Sequence, residues 1–195
     1  MIAPTTWHWV RHGPTHQKTF VGWRDVPADL SDTDQLARLA ADLPSDAVII
    51  SSDLTRCITT ADAIQAGRER LSNNPHLREL HFGTWDGVHF SEVSEKHPDL
   101  SRAYWETPGP HTPPGGESWD ESAHRVHTTM QHLTRKYAGR HIIAVAHFGV
   151  ILTQVQMALG VPAQQVLAHK IDNLSVTDIT WENGTGRVGT INRLV

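Results

Sequence analysis

Three short apolar runs constrain the fold of this chain more than any other feature. They cover residues 6–10, residues 48–50 (Val48-Ile49-Ile50) and residues 141–146, ending in Ile142-Ile143-Ala144-Val145-Ala146. Runs this short and continuous read as strands buried on both faces of a mostly parallel sheet. Each hands over directly to a polar residue and a turn or helix start. Arg11-His12 precedes Gly13-Pro14, Ser51-Ser52-Asp53 precedes Arg56, and Ala146 runs into His147-Phe148-Gly149. In open α/β sheets the crevice beyond the carboxyl ends of the strands is where ligands bind.

The rest of the chain fits that frame. Residues 16–32 read as a loop beside the site, with Gly22, Pro27 and three aspartates. Ser31 or Asp32 can cap a helix carrying Leu36, Leu39, Ala40 and Leu43, which ends before Pro44. Residues 51–53 should cap a second helix over about 54–67. Residues 88–118 read as a lid-like insertion in a single domain spanning 1–195. It holds a helix around 90–96 that stops at Pro98, then Tyr104-Trp105 and a proline-glycine loop. Residues 117–137 form the longest helix, with Trp119, Ala123, Val126, Met130, Leu133 and Tyr137 on one stripe. A further helix is expected at about 150–159. Residues 173–181 and 187–195 form a terminal hairpin through Asn183-Gly184, the last strand running antiparallel.

Composition narrows the function classes. A hydrophobic content of 38% and a charged content of 19% belong to an ordinary soluble globular protein. A formal charge of −4 argues against non-specific nucleic-acid binding. The opening residues lack a signal-peptide pattern and no run is long enough for a membrane span, so a cytoplasmic protein is expected. One cysteine, Cys57, excludes an internal disulfide. Fourteen histidines raise the question of metal, but there is no His-Glu-x-x-His and no thiolate set, so most read as surface residues. No metal or cofactor is expected, and the oligomeric state is open between monomer and homodimer.

Five polar side chains at four places, Arg11-His12 being one of them, carry candidate chemistry. A guanidinium at Arg11 is a fixed fork of donors suited to phosphate, and a neutral imidazole at His12 can attack phosphorus. Alone, Arg-His at a strand end is also what a solvated turn looks like. Arg56, in the first turn of a helix, adds a second fork where backbone amides already favour an anion. His147 repeats the strand-to-turn placement. Glu79, between apolar neighbours, fits a carboxyl with a raised pKa that donates a proton, or an exposed partner of Arg78.

Together these groups and their surroundings resemble the histidine phosphatase superfamily, also called the phosphoglycerate mutase-like family. The motifs that carry the resemblance are Arg-His-Gly-Pro-Thr at 11–15, Ser-Ser-Asp-Leu-Thr-Arg at 51–56 and the segment 77–87. Pro-Gly-Gly-Glu-Ser at 114–118, Ala-His-Phe-Gly-Val-Ile at 146–151 and Asn-Leu-Ser-Val at 173–176 support it. The resemblance implies a three-layer α/β/α sandwich and a metal-independent phosphohistidine mechanism. It implies His12 as nucleophile, Arg11, Arg56 and His147 on the phosphoryl oxygens, and Glu79 as acid and then base. Thr15, Lys18 and Phe148 join as candidate substrate contacts. Three positions depart from the family pattern: Lys18 stands where asparagine is common, Val21 where a polar residue is usual, and Phe148 in place of a glycine.

The expected function is hydrolysis of a small phosphorylated metabolite, similar to the small phosphatases of the family. Phosphoglycerate mutase-type transfer and a non-catalytic phospho-ligand-binding module are the alternatives. The retained His12 and Glu79 speak against a pure binder, which needs neither a nucleophile nor a proton donor.

Overall fold

The computed structural model describes residues 3–195. In chain order the elements are β1 (Thr5–Arg11), α1 (Thr33–Asp42), β2 (Val48–Ser51), α2 (Thr55–Ile64), β3 (Glu69–Arg70), α3 (Phe90–Lys96) and α4 (Pro98–Glu106). They continue with α5 (Trp119–Lys136), β4 (His141–Ala146), α6 (Phe148–Leu159), α7 (Ala163–Val166), β5 (Val176–Glu182) and β6 (Thr185–Val188). The strands form one sheet in the order β3-β2-β4-β1-β5-β6. β1 to β4 run parallel, and β5 is antiparallel to both β1 and β6.

Alternation along the central strands explains why both faces are covered. Trp7, Trp9, Ile142 and Ala144 pack on one face with Val126 and Met130 of α5 and Ile151 and Val155 of α6. Val10, Ile143, Val145 and Ile49 pack on the other with Leu36 and Leu39 of α1 and Cys57, Ala61 and Ile64 of α2. This is the expected three-layer arrangement with a mostly parallel sheet. It sets β1, with Arg11 at its end, between β4 and β5 in the middle. α6 is buried nearly all round, Gly149 through Val155 being inaccessible, and stops at Gly160 in a left-handed conformation (φ 65°). α5 begins with the reciprocal Ser118–Glu121 capping box.

Several local expectations need correction. α2 covers Thr55–Ile64 and is shorter at both ends than expected. The Ser-Ser-Asp segment does not cap it. The Asp25 carboxylate of the 16–32 loop accepts from the Thr55 amide at 2.8 Å and the Thr55 hydroxyl at 2.7 Å. Asp53 is engaged elsewhere, accepting from Arg78 Nε at 2.7 Å and Nη2 at 2.6 Å. Pro98 ends α3 but also opens α4, where its missing N–H costs nothing. The hairpin turns at Asn183-Gly184, both at positive φ. Its second strand stops at Val188, and Val176 pairs instead with Arg193 further on.

Among the described residues, no helix is long and apolar enough to cross a membrane.

Candidate active site

Four of the five candidate side chains converge because they follow the carboxyl ends of the adjacent strands β1, β2 and β4, and Glu79 joins them from the loop after residues 75–77. β1 ends in Arg11 and delivers His12, whose amide donates to Ala146 O at the end of β4 at 3.1 Å. Gly13 allows the turn that follows. A Cβ there would lie 2.6 Å from Leu30 Cδ2 and 3.1 Å from Asp29 O. Its amide donates to the Thr60 hydroxyl of α2 at 3.0 Å. On the other side Asn173 Nδ2 donates to His12 O at 2.8 Å.

His12 is buried, and its Nδ1–H donates to Gly13 O at 2.7 Å. That bond fixes the tautomer and leaves Nε2 as the free base. Burial, then the Arg56 and Arg11 charges, push the imidazole down to about 3, so the ring is neutral at any working pH. His147 lies edge-on at 5.1 Å between ring centres. It is held well below the ordinary imidazole value, by burial first and then by Arg56, His12 and Arg11.

The two guanidiniums are anchored differently. Arg11 Nη1 donates to Ile171 O at 2.6 Å, while its buried Nε has no protein partner. Arg56 is fully buried. Its Nε donates to His147 Nδ1 at 3.3 Å, Nη1 to Arg24 O at 3.0 Å and Nη2 to Gly22 O at 2.7 Å. One arginine thus orients His147 and gathers the 22–24 loop. Cys57 packs against the same imidazole, with Sγ 3.3 Å from His147 Nε2.

Glu79 is buried, and the alternative reading of it as an exposed partner of Arg78 fails because Arg78 reaches Asp53. Its carboxylate accepts from the Leu80 amide at 3.0 Å and from the Gly149 amide, in the first turn of α6, at 3.2 Å. Desolvation raises its pKa; these two bonds and the nearby Arg56 and Arg11 offset the rise only in part. A Cβ on Gly149 would fall 2.6 Å from Glu79 Oε1, so only glycine lets α6 approach the carboxyl this closely.

A pocket of about 270 Å³ opens over this cluster; Arg11, His12 and Glu79 line it, whereas Arg56 and His147 are inaccessible and lie outside the lining. Thr15 and Phe148 also line it. Lys18 does not: it is exposed, although its neighbours Gln17 and Thr19 face the pocket. Among the described residues no group of three or more His, Cys, Asp or Glu side chains is placed to hold a metal ion.

Sequence reasoning missed the frame around Glu79. Arg125 of α5 donates to the carbonyls of His76 at 2.8 Å, Arg78 at 3.0 Å and Glu79 at 3.3 Å, and pairs with both oxygens of Glu117. Glu117 Oε1 in turn accepts from the His81 amide at 3.0 Å. Trp23 Nε1 donates to Glu79 O at 2.8 Å, and the Arg78 guanidinium lies 5.0 Å over its ring. Glu117 and Asn173 both stood inside quoted motifs, so part of the signal was present without a role attached. Arg125 stood in none.

A family model described as the histidine phosphatase superfamily (branch 1) matches residues 8–193. A bifunctional protein of Mycobacterium tuberculosis is 29% identical over an alignment covering 98% of this chain and 54% of that protein. The chain therefore spans about half the length of this relative. The glucosyl-3-phosphoglycerate phosphatase of Mycolicibacterium vanbaalenii is 31% identical over 78% of this chain and 73% of its own. The solved structure of Bacillus stearothermophilus YhfR superposes with a TM-score of 0.89 at 25% identity, covering 98% of each chain. With nearly its whole length inside the family model, the chain belongs to the histidine phosphatase superfamily.

Proposed function

We propose that the protein hydrolyses phosphomonoesters through a phosphohistidine formed on His12, without a metal ion. The observation that carries the reading is the state of His12. Its imidazole is neutral, has Nδ1 tied to Gly13 O and borders a pocket it shares with Arg11 and Glu79. Nε2 attacks phosphorus and the bond from phosphorus to the ester oxygen breaks. The carboxyl proton of Glu79 goes to that leaving oxygen, and the alcohol departs. Positive charge developing on the ring is eased by the Gly13 carbonyl at Nδ1–H. A water molecule then attacks the phosphohistidine, gives a proton back to Glu79 and releases phosphate, which returns His12 to its starting form.

Arg11, which lines the pocket, supplies donors for the equatorial oxygens, while Arg56, inaccessible beneath it and holding His147, adds positive charge from below, the kind of contribution on which phosphoryl transfer mostly depends. The amide end of α6 adds its dipole to the same region. The phosphatase names among the relatives agree with this chemistry. The test is release of phosphate from p-nitrophenyl phosphate in EDTA, compared with His12→Ala. Undiminished turnover in EDTA, lost in the variant, is expected. Turnover that survives in His12→Ala, or that EDTA abolishes, would remove the reading.

A further inference from the structure

Beyond Arg11, His12 and Glu79 the pocket is short of charge, with an aromatic wall and the neutral polar side chains of Thr15, Gln17 and Thr19. Phe20, Phe82, Phe90 and Trp105 contribute its far wall, with Phe148 beside Arg11. Phe90, at 50% exposed, packs edge-on against Phe20 with ring centres 4.4 Å apart, and Phe20 stacks on Trp105 at 6.0 Å and 15°. The insertion therefore places two apolar rings where the alcohol half of a substrate would lie. The Arg11 guanidinium sits 5.6 Å over the Phe148 ring.

Among the described residues lining this pocket, Arg11 is the one arginine or lysine. Lys18, the nearest sequence candidate for a second cation, is exposed and outside the lining. Arg24 folds back on the loop, donating to Thr19 Oγ1 at 3.1 Å with Asp86 3.7 Å away. Val21 puts an isopropyl group on the rim. A carboxylate or second phosphate on the leaving group would meet the rings on this wall, with only the neutral side chains of Thr15, Gln17 and Thr19 to hydrogen-bond to it and no second cation in the lining.

Resting on the phosphomonoesterase reading above, we propose that this pocket selects esters of an uncharged alcohol carrying a flat apolar ring. It discriminates against esters that bear a second anionic group. A ring inserted between Trp105, Phe90 and Phe148 gains stacking and apolar burial, and a hydrophobic pocket of this kind separates substrates by roughly 10- to 200-fold.

The test compares kcat/KM for 2-phenylethyl phosphate, ethyl phosphate and 3-phosphoglycerate at one pH. All three release aliphatic alcohols, so bond lability does not decide the order. The phenylethyl ester is expected to lead, about tenfold or more over the ethyl ester, with 3-phosphoglycerate last. Trp105→Ala and Phe90→Ala should bring the phenylethyl ester down towards the ethyl ester. Val21→Lys should raise 3-phosphoglycerate turnover, a gain that damaged folding would not produce. Turnover of 3-phosphoglycerate equal to or above that of the phenylethyl ester overturns the proposal. So does an equal fall for both alkyl esters in the two truncations. His12-dependent hydrolysis of p-nitrophenyl phosphate with none of the three esters cleaved overturns the selectivity alone. Absence of any His12-dependent turnover overturns the phosphomonoesterase reading itself.

Discussion

His12 and Glu79 are both buried, and burial moves them in opposite directions. The imidazole is kept deprotonated down to about 3, while the carboxyl is kept protonated above its ordinary value. Between those limits the free protein holds a neutral imidazole and a protonated carboxyl at once, which is the pair that the proposed phosphorylation of His12 requires. kcat/KM for an ester with a poor leaving group should therefore stay high well below pH 6.5. It should fall as pH rises through the Glu79 value. Glu79→Gln should lower kcat/KM by roughly 10²–10⁴-fold for ethyl phosphate. Loss for p-nitrophenyl phosphate, whose leaving oxygen needs no proton, should be far smaller. Using kcat/KM keeps the later hydrolysis of phosphohistidine out of the comparison. Equal losses for both esters would take the acid role away from Glu79.

One arginine of α5 holds the segment that carries Glu79. Arg125 reaches three carbonyls between residues 76 and 79 and both oxygens of Glu117. Arg125→Met should cost about 10²-fold in kcat, the scale of a displacement near 1 Å, and should shift the alkaline limb of the pH profile because the Glu79 surroundings change. Arg125→Lys should recover little, since an ammonium cannot fork over several acceptors. A variant with an unmoved pH profile and only a lower Tm would make Arg125 structural alone. Such long-range ties are what the sequence could not display. The central strands were legible because burial on both faces leaves an unbroken apolar run, and α5 because its apolar stripe is local, although its Ser118–Glu121 cap was not read. β3 is two residues, too short to show a pattern, and α4 was hidden by reading Pro98 only as a stop. The Asp25 cap of α2 lies 30 residues from Thr55 and exists only in the folded state. That Arg11, His12, Arg56, Glu79 and His147 would come together was legible because each follows a strand or turn; that Arg56 and His147 would lie beneath the pocket and not in its lining was not. Lys18 was misjudged because a loop conceals which of its neighbours turn inward.

For the molecule as a whole, two buried neutral imidazoles set the direction of acid sensitivity. The pKa values of His12 and His147 are depressed in the folded state, so the unfolded chain binds protons below about pH 6.5 while the folded chain does not. Stability should be full above 6.5 and fall as pH drops towards 3. Glu79, with its raised value, contributes the opposite slope: its stabilisation is present below 4.5 and is lost as pH rises through the folded value. Two histidines against one carboxyl give a net loss on acidification. Tm should drop between pH 6.5 and 5, and His12→Asn should flatten that drop. An unchanged slope in the variant would show that His12 does not contribute. The strand order has a last consequence. Trp7 pairs with Ile142 on one side and Ile179 on the other, while Ile171 O and Asn173 reach back to Arg11 and His12. A nascent chain on the ribosome therefore presents its reactive imidazole early but cannot aim it until those distant stretches emerge. The geometry should arrive in one late step, and a chain truncated before residue 171 should not hydrolyse an ester.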